Sequence, residues 1–336
     1  MKFNKGFYKN LIPITRILLG FIFISDALLK TLSNSSYLIS ENIATGAYGS
    51  WSFLYPWVAF WANFTLNNSV FMVTFSIIIE LILGIALLLG MFKKPVYILG
   101  AVYSILLWAT VDQFGGPYIA GTLNTGATLI YFIAFIFLIF IEINYTYRDI
   151  SLDSLIIKRL PKFSKIALFK KKKDPSKRQN GYRFFSMAFG VILGINASLK
   201  LISGTASNIA GNQLMQLLGE PTIIIHYLLF WDSIILPHMY LFTYVIYPGV
   251  EFFIAFCLIL FVLRKQIYIL GITYSFFIWS VIQGFGGPFF PGVTDISSGP
   301  LYIIIFLLLI FCNKDFLSNK KNKLVMKQIK HKKVNL

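Results

Sequence analysis

Charge is scarce in this 336-residue chain: Asp, Glu, Lys and Arg make up only 13% of it, about half the share of an ordinary soluble domain. Acid is scarcer still, with 13 carboxylates against 30 basic residues and a net charge of +17. Two cysteines cannot build a disulfide framework, and Cys257 and Cys312 sit within or at the end of apolar runs, as small buried hydrophobes do. Histidine occurs three times. His226 and His238 flank Asp232 at a spacing that does not put three ligands on one helical face, which points to interfacial histidines and away from a metal site. There is no Gly-rich nucleotide loop, no Cys cluster and no haem-type His pair, so cofactor chemistry of those kinds has no carrier. The first apolar run lacks a small-residue cleavage site and reads as a span, not as a signal peptide.

What the chain has is apolar length. It is 57% hydrophobic and 17% aromatic, with a mean hydropathy of +0.72. That composition indicates an all-α integral membrane protein. The positive charge could suggest nucleic acid, but nearly all Lys and Arg fall in short segments between apolar runs. This is a topology signal and excludes a nucleic-acid partner.

The stretch Tyr97–Tyr131 recurs as Tyr268–Tyr302 at an offset of 171, pairing Trp108 with Trp279 and Phe114-Gly115-Gly116-Pro117 with Phe285-Gly286-Gly287-Pro288. Gly20–Lys30 recurs as Gly190–Lys200 and Trp61 as Trp231 at an offset of 170, and Glu80 pairs with Glu251 at 171, so one residue is inserted between Trp231 and Glu251. Eight spans are expected: about Ile12–Leu32, Val70–Phe92, Val96–Thr110 and Ala127–Ile143, then Phe184–Leu201, Tyr240–Leu263, Ile267–Ile282 and Pro300–Cys312. They form two parallel four-helix repeats, because an even number of spans gives both copies one orientation. The units are 1–147 and 183–316, with a basic linker at 148–182 and a basic tail at 317–336. The basic residues place both termini and the linker in the cytoplasm of a multi-pass cell-membrane protein. The segments Ser33–Ser69 and Ile202–His238 carry no Lys or Arg and are expected outside; the first, rich in aromatics, is expected as a loop or short helices lying at the membrane surface.

Ionisable groups inside spans are costly and default to function. Glu80 lies roughly 20 Å from the inner edge by helical rise, and Lys30 lies at a similar depth. A Lys30–Glu80 pair is therefore geometrically open, with Asp26 one turn before Lys30. Lys200 and Glu251 make the equivalent pair, with Asn196 in place of Asp26. Two readings stand: each pair neutralises itself and pins two helices, or it lines an outer-half cavity where Lys takes an anion and Glu carries protons. On the second reading Glu80, Glu251, Asp26 and Asp112 are the candidate catalytic groups. Lys30, Lys200, Gln113, Gln283, Asn124 and Asp295 are the candidate substrate contacts. The Gly-Gly-Pro turns either end a span sharply or present backbone amides to a ligand.

The four-span unit, with Arg16, Gly20 and Lys30 on its first helix, Glu80 in mid-span and Trp108…Phe114-Gly115-Gly116-Pro117, resembles the DoxX-like superfamily. It looks closest to the DoxD subunit of thiosulfate:quinone oxidoreductase, in tandem copies. The resemblance covers about residues 12–143 and 183–312. It implies oxidation of thiosulfate to tetrathionate at the outer face, with quinone as electron acceptor. It also implies a DoxA-like small subunit as partner, since no such segment lies in this chain. Membrane lipids and a second copy of the chain are further expected partners. A transporter of a small anion or solute, and a non-catalytic scaffold for a redox partner, are the competing readings.

Overall fold

The apolar runs become helices, and their outward faces show why. In the computed structural model, which describes residues 5–32, 35–46, 50–116, 122–170, 175–202, 204–217, 220–287 and 293–313, no strand occurs among the described residues. Pro117, Pro288, the 171–173 part of the linker's basic run and the basic tail lie outside the described residues. The first sequence copy holds α1 (Lys5–Leu29), α2 (Ser35–Gly46), α3 (Tyr55–Asn67), α4 (Ser69–Leu89), α5 (Lys93–Thr110) and α6 (Ala127–Asn144). The linker adds α7 (Leu152–Arg159) and α8 (Ser164–Ala167). The second copy holds α9 (Pro175–Leu199), α10 (Thr205–Met215), α11 (Thr222–Ile235), α12 (Met239–Leu241), α13 (Tyr247–Leu260), α14 (Arg264–Phe277) and α15 (Gly299–Cys312).

On α4 the residues Val73, Glu80, Leu83, Gly84 and Leu87 are buried, while Phe71, Phe75, Ile78, Ile82 and Ile85 are exposed. A soluble protein rarely exposes so continuous an apolar face; a hydrocarbon solvent demands one. Among the described residues, six helical stretches are long and apolar enough to cross a membrane: Tyr8–Leu29, Ser69–Leu89, Ala127–Asn144, Ser176–Leu199, Thr222–Leu260 and Arg264–Ile282. The eight expected spans reduce to six on this measure for a physical reason. α5 opens on Lys93 and Lys94, which lower its hydropathy, and α15 has 14 residues, about 21 Å of helix against a hydrocarbon core of about 30 Å.

Two boundaries differ from expectation. Part of the presumed outer segment, α11, runs on into α13 as one helical stretch of 39 residues. It is kinked at His238 (φ −119°, ψ 24°), just as α3 and α4 are parted at Asn68 (φ −124°, ψ 35°). The linker is also not wholly a tether. α9 begins inside it, and Asp153 is fully buried, its carboxylate accepting from the backbone N–H of Phe92 (2.8 Å) and Lys93 (3.0 Å) at the start of α5. The Lys93 ammonium pairs with Asp149 at 2.6 Å and Glu142 at 3.5 Å. Asp149 and Asp153 thereby fasten the start of the linker to the turn between α4 and α5.

The inserted residue between Trp231 and Glu251 has a visible home. Phe242–Ile246 form a π-turn, the device by which a helix absorbs one extra residue. Before it the copies align at 170, Asn68 with His238; after it they align at 171, Ser76 with Tyr247.

Helices α6 and α15 pack on each other at the centre, α1 packs on α4 and α15, and α9 packs on α13 and α6. Phe137 stacks on Phe185 at 4.2 Å, joining α6 to α9. Small residues permit the closest approaches, as between membrane helices generally. A Cβ on Gly20 would lie 2.9 Å from the Gly84 carbonyl oxygen, and one on Gly100 would lie 2.2 Å from the Phe135 ring. Gly271 lies against Phe306 in the same way, 171 residues on.

Candidate functional site

Lys30 and Glu80 meet. The Lys30 Nζ donates to both carboxylate oxygens of Glu80, at 2.7 and 3.0 Å. Tyr103 donates to Glu80 Oε1 at 2.9 Å, and the Ser76 hydroxyl bonds both Tyr103 (2.6 Å) and Glu80 (3.1 Å). Asp26 accepts from the Tyr131 hydroxyl and, at 3.1 Å, from the backbone N–H of Ile296. Every member of this cluster therefore has a partner, which burial of charge requires.

The second copy repeats the arrangement. Lys200 donates to Glu251 at 2.7 Å, Tyr274 donates to Glu251 at 3.0 Å, and Asn196 donates to the Tyr302 hydroxyl at 2.7 Å. The two clusters are also tied crosswise. Lys30 donates to the carbonyl of Thr294 at 2.7 Å, and Lys200 donates to the carbonyl of Leu123 at 3.1 Å. Ile296 N–H reaches Asp26 of the first copy, and Thr125 N–H reaches Asn196 of the second at 3.0 Å. The loop after each Gly-Gly turn thus caps the lysine site of the other copy.

This exchange explains the turns. Phe114 and Gly115 adopt positive φ (60° and 88°), as do Phe285 and Gly286 (56° and 95°). A Cβ on Gly115 would lie 2.5 Å from the Thr125 carbonyl oxygen, and one on Gly286 would lie 2.7 Å from that of Ile296. Trp108 and Trp279 donate their indole N–H to those same carbonyls, at 2.9 and 3.1 Å. The turn and its tryptophan hold the capping loop in place.

The two sites differ sharply in room and charge. A cavity of about 270 Å³ adjoins Lys30, Glu80, Asp26, Asp112 and Asp295, with mainly apolar walls that include Trp57, Trp61, Phe75 and Leu106. The counterpart around Lys200 and Glu251 has about 20 Å³, room for little more than one water. Tyr247, fully buried, stands there where the first copy has Ser76. The first cavity sets one ammonium against four carboxylates; the second sets Lys200 against Glu251 alone. Asn196, Gln283 and Asn124 occupy the places of Asp26, Asp112 and Asp295.

Asp112 sits just beyond the end of α5 and accepts from Thr128 through both its backbone N–H and its hydroxyl. Burial pushes its carboxyl up to about 6, with the Thr128 hydrogen bonds pulling the other way. Gln283 makes the matching bond, its side-chain oxygen accepting from Gly299 N–H at 3.2 Å. Asn124 and Asp295 each close a local turn, on Gly126 N–H (3.0 Å) and Ser297 N–H (2.7 Å). Gln113 lies apart from the lysine cavity: its amide donates to the Ile43 carbonyl at 2.6 Å and lines a second, open cavity of about 370 Å³. Both ends of the Gln283 amide are thus held by protein partners, whereas the Gln113 amide oxygen is buried without one. His226 is exposed and bonds the Thr222 carbonyl, and no group of metal-ligating side chains occurs among the described residues.

Sequence reasoning missed Ser76, Tyr103 and Tyr131 in the cluster. The tyrosines had a signal, since both recur at the 171 offset inside the duplicated stretch. The capping carbonyls of Leu123 and Thr294 had none, because backbone groups leave no mark in a sequence.

No family model matches the chain, and neither does a curated protein or a solved structure.

Proposed function

We propose that the chain is a multi-pass cell-membrane subunit of a quinone-linked oxidoreductase, and that the first copy's cavity holds the quinone headgroup. In this reading the protein crosses the bilayer eight times as two parallel four-helix units, 1–147 and 183–316, with both termini, the linker and the tail in the cytoplasm. α15 completes the eight despite its length, because its surface is almost wholly buried in protein and lipid does not set its span. The basic flanks favour this orientation.

One observation carries the quinone reading: an apolar cavity of about 270 Å³ that adjoins the exposed Trp57, Phe75 and Leu106 and contains an unpaired donor. The Trp61 indole nitrogen is buried without a hydrogen-bond partner, and Trp61 lines the cavity. A quinone offers an apolar ring and a carbonyl acceptor, and ligand sites are typically apolar clefts with a few convergent polar groups. Glu80, Asp26 and Asp112 are suited to the protons that quinone reduction consumes.

The electron donor implied by the DoxD resemblance is thiosulfate, two of which join as tetrathionate and release two electrons; quinone takes these with two protons to become quinol. Lys30 spends its N–H groups on Glu80 and Thr294, and the second cavity is lined by Asp112 and Asp295 without Lys or Arg. A dianion therefore fits better on a partner such as a DoxA-like small subunit. The test is quenching of tryptophan fluorescence by a short-chain quinone in nanodiscs, together with thiosulfate-dependent quinone reduction in membranes. Saturable quenching lost in Trp61→Phe supports the reading; no saturable binding to the intact chain sinks it. A solute transporter is the second reading, favoured by the junction of the two cavities, and uptake into proteoliposomes without redox activity would establish it instead.

A further inference from the structure

Two cavities meet at two carboxylates. Asp112 and Asp295 line both the apolar cavity beside Lys30 and Glu80 and the open cavity beside Gln113 and Asn124. The first has mainly apolar walls; the second is more open, has a larger polar share and is lined in part by Gly115 and Gly116 of the turn. At the corresponding positions beside the second copy's small cavity stand Gln283 and Asn124, which keep the hydrogen bonds but bind and release no proton. The same local bonds thus survive in both copies: Asp112 and Gln283 each accept from the backbone N–H of the residue sixteen positions on. Asn124 and Asp295 each close their turn on the residue two positions on. Structure alone therefore does not require acids in the first copy.

We propose that Asp112 and Asp295 are the proton-transfer pair that connects the first copy's ligand cavity with water, and that the second copy has lost this route. The proposal rests on the quinone reading. Quinone plus two electrons from the sulfur donor plus two protons gives quinol, and the two protons enter from the open cavity through these carboxylates to the Glu80–Tyr103–Asp26 cluster. The groups facing Asp112 are Thr128 on α6, Asp295 before α15 and Lys30 on α1. A carboxyl held near 6 there changes protonation close to neutral pH, as relay groups must.

The experiment places the second copy's residues in the first: Asp112→Gln, Asp295→Asn and the pair together, in the full chain with its membrane partners. Quinone binding is read by tryptophan quenching and turnover by thiosulfate-dependent quinone reduction, with and without added formate as a small diffusible acid. The expected result is quinone binding within about two-fold of the native chain, turnover down at least about ten-fold in the double variant, and recovery with formate. Unchanged turnover overturns the proposal and leaves the quinone reading standing. Loss of quinone binding in the variants also overturns it, by making the two carboxylates ligand contacts. Loss of turnover that formate does not restore assigns them a structural role and overturns it as well. A native chain that binds no quinone removes the proposal together with the reading beneath it.

Discussion

The Lys30 ammonium donates to the Thr294 carbonyl at 2.7 Å, across 264 positions of chain. Its counterpart Lys200 reaches back to Leu123, so neither lysine site is complete within one copy. A buried charge needs every lone pair and proton answered, and here each half of the chain supplies the answer to the other.

Removing one partner of this pair leaves a buried charge. Lys30→Met is expected to lower stability by about 3–5 kcal/mol. The double variant Lys30→Met/Glu80→Leu is expected to recover most of that loss, since an apolar pair of similar volume suits the site. Thermal unfolding in detergent checks the order; a double variant less stable than the single one would contradict it.

Ser76 leaves the volume that Tyr247 fills in the second copy. Ser76→Tyr should close the first cavity and weaken binding of a short-chain quinone by at least about ten-fold while the chain still folds. Titration of tryptophan quenching measures this. Unaltered affinity would place the ligand elsewhere.

The α1–α4 contact depends on two glycines. Gly84→Leu should destabilise by about 1–3 kcal/mol through overpacking, because a Cβ at Gly84 already falls 2.6 Å from Ile24. Gly249→Ala, with nothing within 4 Å of its Cβ, should leave the melting temperature equal or raise it, by up to about 1 kcal/mol of helix propensity. Melting curves of both variants separate a packing role from a general intolerance of change.

Asp112 gives the chain a pH signature. Burial pushes its folded carboxyl up from the ordinary 3.8 to about 6, so the folded state holds the proton more tightly than the unfolded one. Its contribution to stability is thus greatest below about pH 4, falls as pH rises to about 6 and is constant above that. The difference in melting temperature between the native chain and Asp112→Asn should follow this course. A difference independent of pH between 4 and 7 would rule it out.

Much of this was legible before any fold was drawn. The offset between copies, the Lys30–Glu80 pair and the non-equivalence signalled by Asp26 and Asn196 follow from spacing, because a helix has a fixed rise and a buried ion needs a partner. The number of crossings was less legible: short apolar runs do not say whether lipid or protein will cover them, and α15 is covered by protein. Gln113 illustrates the same gap. Its place beside the turn suggested a ligand contact; its amide nitrogen is held by the Ile43 carbonyl, a long-range partner that sequence proximity does not show, while its amide oxygen has no protein partner.

By itself, the sequence determined that this is an apolar helical chain with a duplicated plan, scarce buried charges and basic flanks. Those properties depend on composition and local period alone. Only the tertiary structure decided that the loops following the two Gly-Gly turns trade places to cap each other's lysines. It also decided that one site stays open while Tyr247 closes the other. Both outcomes depend on which backbone carbonyl or side-chain volume arrives from a distant part of the chain, and distance along the sequence carries no record of that.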